Sequence, residues 1–141
     1  MGKRKVLFAS AAVVAAGIGV GGMVTANGTD ARFHVKIAGA QEVPVTDGDA
    51  RGDVRLTIDL DTNEVCYDLR FDRAGTPNRG HIHEAAAGAN GDIVVTLFEL
   101  RPPEPATNPL NDELERNRVD DACVSGDPAV LADIVANPAG Y

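Results

Sequence analysis

The sequence predicts an all-β protein: an antiparallel β-sandwich or open barrel with one short C-terminal helix. Three observations predict it. Val54-Leu56-Ile58-Leu60 and Val65-Tyr67-Leu69-Phe71 alternate with polar residues on either side of Asp61-Thr62-Asn63-Glu64, the pattern of two half-buried strands joined by a turn. Further short β-prone runs are separated by glycine- and proline-containing turns, and the chain has no internal repeat, heptad or phosphate loop. Only the stretch between Pro128 and Asn137 spaces its apolar residues as a helix does.

The chain begins as an export signal. Lys3-Arg4-Lys5 precede an apolar small-residue run from Val6 to Val24, and Val24-Thr25-Ala26 has the small side chains of a cleavage site, so residues 1–26 read as a signal peptide. The run is nearly long enough to span a bilayer, and an uncleaved anchor is the alternative. No cysteine follows directly, which argues against a lipoprotein. Removing three positive charges and no acid from a net charge of −8 leaves −11. Such a chain repels nucleic-acid phosphates. Once the signal is cleaved, nothing in it predicts a membrane contact. The expected location is secreted or cell-surface. With 141 residues there is room for one domain, and with no Trp its core must come from Val, Ile, Leu and Ala.

After a short linker, residues 27–31, the domain spans 32–141. Arg32 to Ile37 alternates, with Phe33, Val35 and Ile37 on one face and Arg32, His34 and Lys36 on the other, so His34 is expected in solvent. Gln41 to Gly52 is rich in turn formers. Asp47, Asp49 and Asp53 are spaced somewhat like a calcium loop but lack its glycine and glutamate positions, so an acidic turn is the better reading. Arg51-Gly52-Asp53 spells an adhesion tripeptide too short to carry weight.

The hairpin Val54–Phe71 follows, with Cys66, Asp68 and Arg70 facing away from its core side. Two cysteines in an exported chain predict a Cys66–Cys123 disulfide, with two unrelated buried thiols as the alternative. The bond would hold the Cys123 segment over the outer face or an edge. Gly80-His81-Ile82-His83-Glu84 reads as a strand, Gly88-Ala89-Asn90-Gly91 as a turn, and Ile93 to Leu100 as a central strand covered on both faces. Arg101 to Asn117, with four prolines, reads as a long surface loop, and Val119 to Val124 as a short edge segment. Asp127 can cap and Pro128 can open a helix with Val130, Leu131, Ile134 and Val135 on one face, ended by Asn137-Pro138.

His81 and His83 are the candidate site. Two residues apart on a strand, they share a face, with Ile82 on the other, and neutral imidazoles suit copper or zinc. Two nitrogens leave either ion short of ligands, and Glu84 points away. Two readings stand: a metal pair, or structural histidines bonded to backbone groups at the strand end. No G-x-S-x-G elbow is present, and Ser10 and Ser125 are the only serines, so nothing supports hydrolase chemistry.

Gly-His-Ile-His-Glu followed by Gly-Ala-Asn-Gly-Asp-Ile-Val-Val resembles the central signature of the CHRD domain, a module named after chordin and common in secreted bacterial proteins. Ala40-Gln41-Glu42-Val43-Pro44, Val65-Cys66-Tyr67-Asp68-Leu69 and the run Ala132 to Tyr141 agree in order. The resemblance covers roughly Phe33 to Tyr141. It implies a further strand pair after Tyr141, including a third histidine, so that the domain in this chain is expected to be C-terminally incomplete. It also implies a non-catalytic binding module whose partner is an extracellular protein or small ligand. The His-x-His-Glu segment is similar to that of copper-zinc superoxide dismutases, which implies the alternative of a copper- or zinc-binding redox protein.

Overall fold

A computed structural model describes residues 30–39, 48–74, 76–85, 89, 91–100 and 109–141. The signal peptide, most of the Gln41 to Gly52 turn with Asp47, and Arg101 to Asn108 lie outside these residues. Among the described residues no helix is long and apolar enough to cross a membrane.

The alternation read in the sequence becomes an antiparallel meander of β1 (Asp30–Ala38), β2 (Arg51–Asp59) and β3 (Glu64–Asp72). Its register sets apolar residues opposite one another: Phe33 against Leu56, Val35 against Val54, Leu56 against Tyr67, Ile58 against Val65. All of them therefore lie on one face, because a strand alternates with period two. The β2–β3 turn is held by Asp59, whose carboxylate accepts from the amides of Asp61 (2.8 Å) and Thr62 (3.0 Å). Asn63 then takes φ 57°, a left-handed conformation that asparagine tolerates well.

β6 (Arg118–Ser125) adds to β3, giving a four-stranded sheet in the order β1-β2-β3-β6. Tyr67 faces Ala122 and Leu69 faces Val119, so Asp120 and Asp121 together oppose Asp68. This is a β-bulge, with Asp121 at φ 52° and its amide donating to the Asp68 carboxylate at 3.1 Å. Beyond the bulge, Cys66 and Cys123 are direct cross-strand partners with Cα atoms 4.0 Å apart, and they form the disulfide. It lies along the edge of the sheet, on the side the sequence indicated.

A second layer is built from β4 (Arg79–Glu84) and β5 (Asp92–Glu99), paired antiparallel. Val54, Leu56, Ile58, Val65, Tyr67, Leu69 and Phe71 of the first sheet pack in one core with Ile82, Val95 and Phe98 of the second. The all-β sandwich class is thus observed, with no closed barrel among the described residues.

Two expectations are corrected. Part of the proline-rich segment read as a surface loop is a helix, α1 (Pro109–Glu115), anchored by the fully buried Leu114. Pro109 opens it, where its missing N–H removes no helical bond. Ile93 to Leu100 is not a doubly covered central strand: β5 belongs to a two-stranded sheet, and Ile93 is 53% exposed. The helix α2 (Pro128–Ala136) matches its reading. Asp127 caps it by accepting from Ala129 N (2.9 Å) and Val130 N (3.2 Å), and Leu131 and Ile134 enter the core. A 3-10 turn, Pro138–Gly140, then carries the chain past the end of β4, where Ala85 N donates to Gly140 O at 2.9 Å.

Candidate functional site

The site is the buried strand β4. Gly80 lies against the Phe98 ring, so closely that an added Cβ would come within 2.4 Å of the ring edge. Opposite β4, the register slips twice. Gly80 faces Phe98 but His81 faces Thr96, leaving Leu97 extra; Ile82 faces Val95 but His83 faces Ile93, leaving Val94 extra. Bulges re-aim side chains and release backbone groups from the ladder. One such group is the Leu97 carbonyl, which accepts from the Tyr67 hydroxyl at 3.0 Å and ties the two sheets together. Burial of the phenol, together with the nearby Glu113 charge, pushes the Tyr67 pKa up to about 12.

His81 and His83 are each only 6% exposed, and Ile82 between them is buried as well. Their rings meet edge to face, with centroids 5.9 Å apart and planes at 78°. His83 Nδ1 is 2.8 Å from the carbonyl oxygen of Gly91. A carbonyl only accepts, so Nδ1 carries the hydrogen, and of the two neutral tautomers this bond selects the one with its lone pair on Nε2. That Nε2 is buried and has no hydrogen-bond partner among the described residues. Gly91 makes this possible: a Cβ there would lie 1.7 Å from Glu84 O, so only glycine lets the loop pass close enough to present its carbonyl.

Burial is the main cause that lowers the His81 pKa, aided by His83 and Arg79 and opposed by Glu99. His81 is thus biased toward its neutral form. Arg79 Nε, itself buried without a hydrogen bond among the described residues, stands 3.7 Å from Glu99 Oε1. His81 also lines a small apolar cleft of about 50 Å³ between the sheets, walled by Ile37, Leu69, Phe71, Leu97 and Phe98.

The structure brings His81 and His83 together and leaves the other candidates elsewhere. His34 is on the outer face of β1, with Nε2 2.6 Å from Asp53 Oδ2. Asp53 therefore serves a cross-strand pair in β2 and not an acidic turn, while Asp49 is exposed in the turn before β2. Arg51-Gly52-Asp53 is built into β2, paired on both sides by β1 and β3, and no free loop presents it. Glu84 is exposed at the strand end. Among the described residues no group of three or more His, Cys, Asp or Glu could hold a metal. Sequence reading missed the Gly91 carbonyl and the Arg79–Glu99 pair. The only signal for the first was a glycine eight residues after a histidine.

No curated protein and no solved structure matches the chain. Residues 33–140 match the CHRD domain, most of the sequence and every described strand apart from the first residues of β1, and the chain belongs to the CHRD domain family.

Proposed function

We propose that this chain is an exported, non-catalytic CHRD module that acts by binding an extracellular protein or small ligand. The signal-like N-terminus, the disulfide and the acidic balance of the remainder support export. The observation that carries binding is the open apolar cleft, walled by both sheets and with Arg79 and His81 among its lining residues. Ligand sites commonly combine apolar walls with a few placed polar groups. The test is a titration of the isotopically labelled protein with small apolar compounds, followed by amide NMR. Shifts confined to Gly52, Gly80 and Phe98 are expected. A panel that moves none of them sinks the cleft as a binding site.

A second reading, a copper or zinc ion held by His81 and His83, is favoured by the buried, unpartnered Nε2 of His83. A structural histidine in that position would have bonded it, since an unmade buried hydrogen bond costs about 1–3 kcal/mol. Elemental mass spectrometry of the purified protein and of the His81→Ala, His83→Ala double variant checks this. Metal retained by the first and lost by the second is expected, and equal content in both rules it out.

A further inference from the structure

Resting on the reading of the chain as a binding module, we infer that β1 is its docking edge and that the partner is an extended protein segment in which aliphatic and acidic residues alternate. Three features of β1 carry this.

The first is its place in the sheet. β1 stands at one end of the order β1-β2-β3-β6 and pairs with β2 through all nine of its residues without a bulge. An edge strand leaves half of its backbone N–H and C=O groups outside the ladder, and an added strand takes them up at a spacing of about 4.8 Å. Among the described residues no strand lies beyond it. The opposite edge is less suited, because β6 is bent by the bulge at Asp121 and a bulge blunts an edge.

The second is the inner face. Val54 and Leu56 of β2 are buried, whereas Val35 and Phe33, their direct partners on β1, are only half-buried. Both pairs face the same core, so the cover supplied by the second layer runs out at the edge. The half-buried stripe continues to Ile37, which also lines the apolar cleft. A strand laid along β1 sets every second side chain against Phe33, Val35 and Ile37. Aliphatic groups suit that position, where a charge would lose its water.

The third is the outer face. Arg32, His34 and Lys36 alternate with the stripe and are exposed, and the exposed Arg55 stands opposite His34 on β2. His34 is paired with Asp53. Arg32, Lys36 and Arg55 have no carboxylate partner among the described residues, and Asp68, across from Arg55, accepts from the Asp121 amide. In a chain of formal charge −8, unpaired cations gathered on one edge select an acidic partner. They also oppose pairing with β1 of a second copy, in which like charges would meet. The acids of a second copy's β6 do not replace such a partner, since Asp120 is held by Arg70 and Arg118 and Asp121 stands in the bulge.

Hydrogen exchange on the full, isotopically labelled chain tests this, with a short peptide alternating glutamate and valine as the probe. Slowed exchange at alternate β1 amides is expected, because an added strand bonds the N–H groups that point away from β2. A peptide with lysine in place of glutamate should bind about tenfold more weakly, and the Arg32→Glu, Lys36→Glu double variant should reverse that preference. Both positions are exposed, and a gained preference for lysine is a result that unfolding cannot mimic. Dextran sulfate is the control for a charged surface alone. Binding of that polymer with both peptides ignored, or equal binding of the two peptides, overturns the docking edge. A glutamate peptide that leaves the β1 amides unprotected overturns it too, whether it binds elsewhere or not at all. In each of those cases shifts of Gly52, Gly80 and Phe98 with small apolar compounds would still keep the cleft as a binding site, so the two readings fail separately.

Discussion

Gly91 shows how much of the site depends on an atom that is absent. Its backbone runs so close to Glu84 that a methyl group cannot be accommodated, and its carbonyl sets the His83 ring. Gly91→Ala is expected to cost about 3 kcal/mol, the range of severe local clashes, and to release the ring. Thermal unfolding gives the first effect and the His83 ring resonances the second; an unchanged melting temperature would contradict the geometry. Tyr67 and Tyr141, the two tyrosines of the chain, supply a pH signature. Each has its pKa pushed from 10 to about 12, Tyr67 chiefly by burial and Tyr141 chiefly by donating to the Asp133 carboxylate. Between these values the folded state holds protons that the unfolded chain has lost, so stability is intact below pH 10 and falls as pH rises through about 12. Denaturant midpoints against pH should show this fall, and Tyr67→Phe should remove roughly half of its slope. At this scale the sequence made the histidine pair legible, because period-two alternation puts residues 81 and 83 on one face. It could not make the carbonyl beneath His83 legible, since that depends on how a loop folds back.

At the scale of elements, the features that were readable are those with local causes. The β2–β3 hairpin follows from alternation, and α2 from Asp127 and Pro128 acting on its first turn. Asp127→Ala should lower stability by about 1 kcal/mol, as measured by urea unfolding, and lowering it no further than a surface substitution would deny the cap its role. The elements misread have non-local causes. Helix α1 is seven residues long, too short to hold itself, and persists because Leu114 reaches the core. The apolar run of β5 suggested a central strand, yet its continuity comes from two bulges that place Val94 and Leu97 out of alternation. A bulge is set by pairing register, which no single strand encodes.

For the whole molecule, the two-layer class was legible from many short alternating strands, while the division of strands between layers was not. That division depends on β6 returning to pair with β3 across a sequence separation fixed by Cys66 and Cys123. Closing a loop of 57 residues removes unfolded-state entropy worth about 4 kcal/mol. Reduction should therefore lower the unfolding free energy by up to about that amount, and hydrogen exchange should show β6 opening first. Retained protection of β6 after reduction would mean the strand pairing holds without the bond. Export belongs to this scale too: sequencing of the released protein should begin at Asn27, and a start at Met1 would mean the apolar run stays attached.

The same disulfide divides the chain mechanically. Its loop contains β4, β5 and α1, so a force applied at the two ends passes from Cys66 directly to Cys123 once the outer strands have peeled away. The second sheet and its histidines then carry no tension, and roughly 200 Å of contour stays hidden until the bond is reduced. A protein tethered between two surfaces would stretch while its buried strand β4 remained off the path of the load.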